Sequence, residues 1–125
     1  MREEVHFISI IAPGSLTRSL IGAQLKEEGF AVLGSATLEE AASQLSEVGS
    51  VPSLLVIESQ GLEIDQRALD ALGRICAEVP LLIIHGAWDK PSQLKWKAKV
   101  YELVRPMSIG EIVQEVKKIL ALDNK

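Results

Sequence analysis

Three side chains in this sequence could do chemistry together: the carboxylate of Glu58, the imidazole of His85 and the guanidinium of Arg105. Each stands at the end of a short apolar run, after Leu54 to Ile57, Leu81 to Ile84 and Val100 to Val104. If those runs are neighbouring strands, the three groups converge at one end of a sheet. A carboxylate beside an imidazole is the raw material of acid–base chemistry or of a metal site. Two possible ligands with no third carboxylate or His nearby in sequence make neither, so no metal, no cofactor and no catalytic residue is expected. Glu58 and Arg105 are the better-matched pair, because a planar guanidinium fits a carboxylate. They read as a structural ion pair with His85 filling space beside it, or as a fixed negative charge held by a clamp. The turn from Ala12 to Arg18 has small residues, two hydroxyls and a helix start, on which an anion could dock. It lacks the Rossmann glycine spacing and the Walker lysine, and it reads first as a helix start with Gly14 or Ser15 as the cap.

The elements that must position these groups alternate in texture. Apolar, mostly β-branched runs fall at Val5 to Ile11, Ala31 to Leu33, Leu54 to Ile57, Leu81 to Ile84 and Val100 to Val104. The third and fourth are continuously apolar, as in strands buried on both faces. Helical spacing lies between them: Leu16, Leu20, Ile21 and Leu25 on one face, Leu38, Ala41, Ala42 and Leu45 on a second. Leu69, Leu72, Ile75, Cys76 and Val79 make a third, and Ile109, Ile112, Val113, Val116, Ile119 and Leu120 the last. A short helix over Ser92 to Lys97, opened by Pro91, is expected before the final strand, with only Leu94 and Trp96 on its apolar face. Thr37 with Glu40 and Ser108 with Glu111 have capping-box spacing. Gly29 and Gly49 fall where a left-handed stop residue is wanted. A βα unit repeated through the chain predicts a doubly wound parallel sheet with helices on both faces, and a functional crevice beyond the carboxyl ends of its strands.

Composition sets limits. A chain of 125 residues suits one domain over 1–125, large enough to hide roughly two thirds of its extended surface without staples. With 47% apolar residues and only 4% aromatic, the core must be aliphatic. The net charge of −4 argues against nucleic acid, and Lys95, Lys97 and Lys99 read as a solvated strip. The single cysteine, Cys76, sits on an apolar helical stripe and reads as a small core residue in a reducing compartment. No leader and no membrane-spanning run is present in the sequence, so a cytoplasmic location is expected.

Several stretches resemble one family in order and spacing. Gln24-Leu25-Lys26-Glu27-Glu28-Gly29-Phe30 resembles the end of the first helix of response regulator receiver domains of two-component signalling, and Pro52 to Glu58 their third strand, with the phosphoacceptor position at Glu58. Pro80-Leu81-Leu82-Ile83-Ile84-His85-Gly86 is similar to the fourth strand, and Val104-Arg105-Pro106-Met107-Ser108 to the Lys-Pro-Phe-Ser junction after the fifth. The resemblance implies a three-layer, flavodoxin-like, CheY-like (βα)5 fold with a five-stranded parallel sheet in the order 2-1-3-4-5. It also implies a cis Arg105–Pro106 bond.

The pocket departs from that pattern. Where receivers carry the acidic pair that holds Mg²⁺, this chain has Ala12 and Pro13, which offer no side-chain oxygen. Glu58 replaces the phosphorylated Asp, and its extra methylene moves the carboxylate out by about 1.5 Å. His85 replaces a Ser or Thr, Arg105 replaces the Lys, and Glu102 stands at the aromatic switch position with Tyr101 one residue away. Phosphoryl transfer rests on positioning and charge neutralisation, so the expectation is a pseudo-receiver: no enzyme, but a phosphorylation-independent module that binds signalling proteins. The expected surface holds Trp88, Trp96, Tyr101 and Glu102, with a possible homodimer through the fourth helix, fifth strand and fifth helix of the family pattern. Two rivals stand beside it. Glu63, Asp65 or Asp89 could restore metal ligands to an atypical phosphoacceptor, or the Pro13 to Thr17 turn could serve a small-ligand binder.

Overall fold

The structure, a computed structural model, describes residues 7–59, 64–86 and 94–123. Its elements run β1 (Phe7–Ile11), α1 (Ser15–Glu27), β2 (Ala31–Ser35), α2 (Leu38–Val48), β3 (Leu54–Glu58), α3 (Gln66–Ile75), β4 (Leu81–His85), β5 (Val100–Val104) and α4 (Ile109–Asp123). All strand pairs are parallel and the order is β2-β1-β3-β4-β5, as the alternating pattern and the family resemblance predict. β3 and β4 are buried at every residue, which accounts for their unbroken apolar sequence up to Glu58 and His85.

Strand alternation divides the core in two. Ile8, Ile10, Leu54, Val56, Leu82 and Ile84 meet α1 and α4 on one side of the sheet. Ile11, Leu55, Ile57, Leu81 and Ile83 meet α2 and α3 on the other. Cys76 closes α3 as a fully buried residue, and burial pushes its thiol up to about 11, far from a reactive thiolate.

The boundary chemistry follows the sequence closely. Glu40 N–H donates to Thr37 Oγ1 at 3.0 Å, while the Glu40 carboxylate accepts from Ala36 N–H, one residue earlier than a capping box requires. At α4 the box is complete: Glu111 N–H donates to Ser108 Oγ and Ser108 N–H to Glu111 Oε1. Gly29 and Gly49 hold φ of 97° and 71°, left-handed values that side chains disfavour.

Two expectations are corrected. Leu16 and Leu20 do not face the core: they are 71% and 47% exposed, and α1 buries Ile21, Gly22 and Leu25 instead. Ile21 and Leu25 join Ile8 and Ile10 in one core cluster and Gly22 faces Val32, so this is the side of the helix laid against the sheet. The expected helix over Ser92 to Lys97 is not helical in its described part, Leu94 to Lys97; Pro91 and Ser92 lie outside the described residues. That stretch folds onto α3. Gln66 clamps the Lys95 backbone in both directions, its amide donating to Lys95 O at 3.0 Å and accepting from Lys95 N–H at 2.9 Å. Trp96 donates its indole N–H to Val79 O at 2.8 Å and lays its ring beside Gly73. The repeat therefore yields four helices among the described residues.

Candidate functional site

The carboxyl ends of β1, β3, β4 and β5 bring Ala12, Glu58, His85 and Arg105 to one end of the sheet. They do not form one cluster. Glu58 pairs with Ile84, and Ile84 with Leu103, so alternation puts Glu58 and Arg105 on the α1/α4 side. His85 follows Ile83 to the α2/α3 side. All three stand at one end of the sheet as predicted, but His85 does not fill space beside the Glu58–Arg105 pair: it pairs with Glu102 on the opposite face, because a strand sends successive side chains to opposite sides.

On the α1/α4 side, Arg105 Nη1 reaches Glu58 Oε2 at 3.3 Å, with the two side chains 22% and 11% exposed. Burial pushes the Glu58 carboxyl up from its ordinary 4.5, and the Arg105 charge pulls it partly back. Ala12 lies one residue beyond the Ile11–Ile57 pairing and is fully buried, while Pro13 is exposed. Arg18 of α1 also folds over this end: its Nη1 donates to the Ala12 carbonyl, and its stem lies along Gly34, where a Cβ would come within 3.2 Å. The peptide between Arg105 and Pro106 is cis.

On the α2/α3 side, His85 Nε2 and Glu102 Oε1 are 3.0 Å apart, and His85 Nδ1 lies 2.9 Å from Gly86 O. His85 is buried and the Glu102 side chain is 49% exposed. The two residues lie 17 positions apart in the sequence, with nothing local to pair them. Their diagonal meeting depends on the β4–β5 register, Ile83 against Glu102.

The expected interaction residues are dispersed. Trp96 is half-buried on α3, Tyr101 packs toward the α1/α4 core with Lys99 Nζ 5.9 Å from its ring centre, and Glu102 projects to the opposite side. Trp88 lies outside the described residues, as do Glu63 and Asp89. Asp65 is engaged as the N-cap of α3, accepting from Arg67 N–H. An open groove of about 680 Å³ runs between β5 and α4, bounded by Leu103, Gln114 and Lys118.

Among the described residues, the side chains at this end of the sheet do not fit Mg²⁺. Ala12 brings a buried methyl group to the end of β1, Glu58 is paired with Arg105, and Asp65 is spent on a helix cap. Among the described residues no three His, Cys, Asp or Glu side chains gather as a metal site. The arrangement can hold a charge in place, with the Glu58 carboxylate engaged by Arg105. Glu58 has one further consequence. Its raised carboxyl binds a proton more tightly in the folded chain than in the unfolded one, so its contribution is fully present below 4.5 and is lost as pH rises through the folded value. Denaturant melts at a series of pH values should show wild-type stability falling relative to Glu58→Gln across that window. A constant difference between the two would show that the carboxyl is not shifted.

No known family profile matches this chain, nor does any curated protein sequence. Solved structures do. A response regulator receiver protein from Sinorhizobium medicae superposes with a TM-score of 0.75 at 16% identity, over 94% of this chain and 96% of that one. The receiver domain of the hybrid histidine kinase CckA gives 0.71 at 22% identity, over 91% and 98%. NtrX from Brucella abortus, solved with ADP, gives 0.77 at 17% identity, with 97% of this chain covering 28% of that larger protein. At these identities the likeness defines the class of fold, and that fold is the receiver fold. Among the described residues no helix is long and apolar enough to cross a membrane.

Proposed function

We propose that this chain is a pseudo-receiver: a cytoplasmic, phosphorylation-independent module of bacterial-type signalling that acts by binding other proteins and catalyses nothing. One observation carries the reading. The residue at the phosphoacceptor position, Glu58, is buried and already bound by Arg105, beside a buried Ala12 that supplies no metal ligand. The pair occupies the pocket with a permanent counterpart of the charge that a phosphoryl group would bring. The His85–Glu102 contact links the end of β4 to the edge strand β5. Recognition is assigned to the β5 edge, with Tyr101 and Glu102 as the residues to test and the β5–α4 groove alongside; Trp96 is kept for holding the stretch before β5 to α3. The occupant is a signalling protein or a second copy.

Incubation with Mg²⁺ and a small-molecule phosphodonor tests the chemical half. The intact mass should stay unchanged at every time point. A phosphoryl increment that disappears in Glu58→Gln would end the phosphorylation-independent reading.

A further inference from the structure

Charge is unevenly divided along this chain. From Ala31 to Gln66 there is no Lys or Arg, while Glu39, Glu47 and Asp65 are exposed. From Leu94 to Val104 the sign reverses: Lys95, Lys97 and Lys99 are exposed, and the one acid, Glu102, contacts His85. The fold sends these segments to opposite flanks. α2 packs on the edge strand β2 and against α3; the Lys95 backbone is clamped to the other side of that layer and leads into β5, the opposite edge.

Each flank also carries exposed valine at the same height of the sheet, the amino-terminal end of the strands. Val48 closes α2 beside Glu47 and Val51 follows before β3, at 52% and 56% exposure. Val100 opens β5 directly after Lys99 and is 40% exposed. A single exposed valine needs no explanation. Here Val48 and Val51 stand beside an acid on one flank, level with Val100 beside Lys97 and Lys99 on the other, and the two are opposite in charge.

We propose that a second copy of this chain docks head to tail, its Glu47, Val48 and Val51 flank against Lys97, Lys99 and Val100 of the first. Such a contact is heterologous, so each copy keeps one unused flank and association continues beyond two copies unless the rotation closes a ring. It needs neither the Glu58–Arg105 pair nor the β5–α4 groove, although Val100 lies on the same β5 edge to which recognition is assigned.

Sedimentation of the full chain over a range of concentrations tests it. At about 0.1 M salt the weight-average size should rise with concentration past that of a dimer. In 1 M salt, where the screening length falls from about 10 Å to about 3 Å, association should weaken about tenfold. The direction discriminates, since two chains of net charge −4 that met without complementary flanks would associate better in high salt. Glu47→Lys alone, and Lys97→Glu with Lys99→Glu, should each lower association by about tenfold or more. Mixing the two variants should restore it, which a misfolded protein could not do. A chain that stays monomeric at every concentration would overturn the proposal, and the lysines would then be guards of an exposed strand edge. A dimer that stops at two copies and ignores Glu47→Lys would overturn it as well, while leaving a symmetric contact through β5 and α4 in place.

Discussion

Arg105→Ala is expected to destabilise the fold by about 3 kcal/mol, the lower end of what removing one partner of a buried pair costs. The loss comes from what the substitution leaves behind. Glu58 has its side chain 11% exposed, and without the guanidinium at 3.3 Å its carboxylate has neither water nor that counter-charge to compensate burial. Two features separate this from a simple packing defect. The Glu58→Gln, Arg105→Ala double variant should recover most of the stability, because no charge is then stranded. The loss should also shrink at acid pH, where Glu58 is protonated in both proteins; Arg105 is what draws its carboxyl back down, so the single variant should hold its proton to higher pH than the wild type. Equal losses at pH 4 and pH 8 would contradict the account of the pair.

Trp96→Ala is expected to cost about 2–3 kcal/mol, less than a fully buried Trp because the ring is half-buried. The residue ties the stretch before β5 to α3 through the bond to Val79 O and contact beside Gly73. Trp96→Phe should keep most of the ring contact and lose about 1 kcal/mol from the Val79 carbonyl left without its donor. The pair of variants also weighs two roles for this aromatic. A recognition anchor would show its effect in partner binding with an unchanged melting temperature. A residue that secures the β4–β5 connection would show it in the melt of the isolated chain, and that is the expected result.

How far the sequence reveals this molecule depends on the range of the interaction. The five strands are legible because β3 and β4 are buried on both faces and must be apolar throughout. The caps at Thr37 and Ser108 are legible because they involve neighbours three residues apart. The face of α1 is not: Leu16 and Leu20 make as good a stripe as Ile21 and Leu25, and the choice is made by packing on distant strands, where Ile21 and Leu25 join Ile8 and Ile10. The expected helix over Ser92 to Lys97 had its warning in plain view. Leu94 and Trp96 are two residues apart, a spacing that does not share a helical face, and both pack on α3.

The site divides in the same way. That Glu58 and Arg105 meet follows from carboxyl-end placement on strands of matching parity, although β4 lies between them. That His85 finds Glu102 instead requires the β4–β5 register, which a connection of 14 residues does not specify. Arg18 is further hidden, since a helix arginine reaching the Ala12 carbonyl across Gly34 leaves no pattern in sequence.

The central claim is that the pocket is closed to phosphoryl chemistry by its own side chains. A backbone-amide NMR titration with Mg²⁺, followed by beryllofluoride as a stand-in for an acyl phosphoryl group, tests it most directly. The amides of Ala12, Glu58, His85 and Arg105 should stay in place through both additions. Saturable shifts at those four positions would mean that a metal and phosphoryl site persists, and the pseudo-receiver account would be wrong.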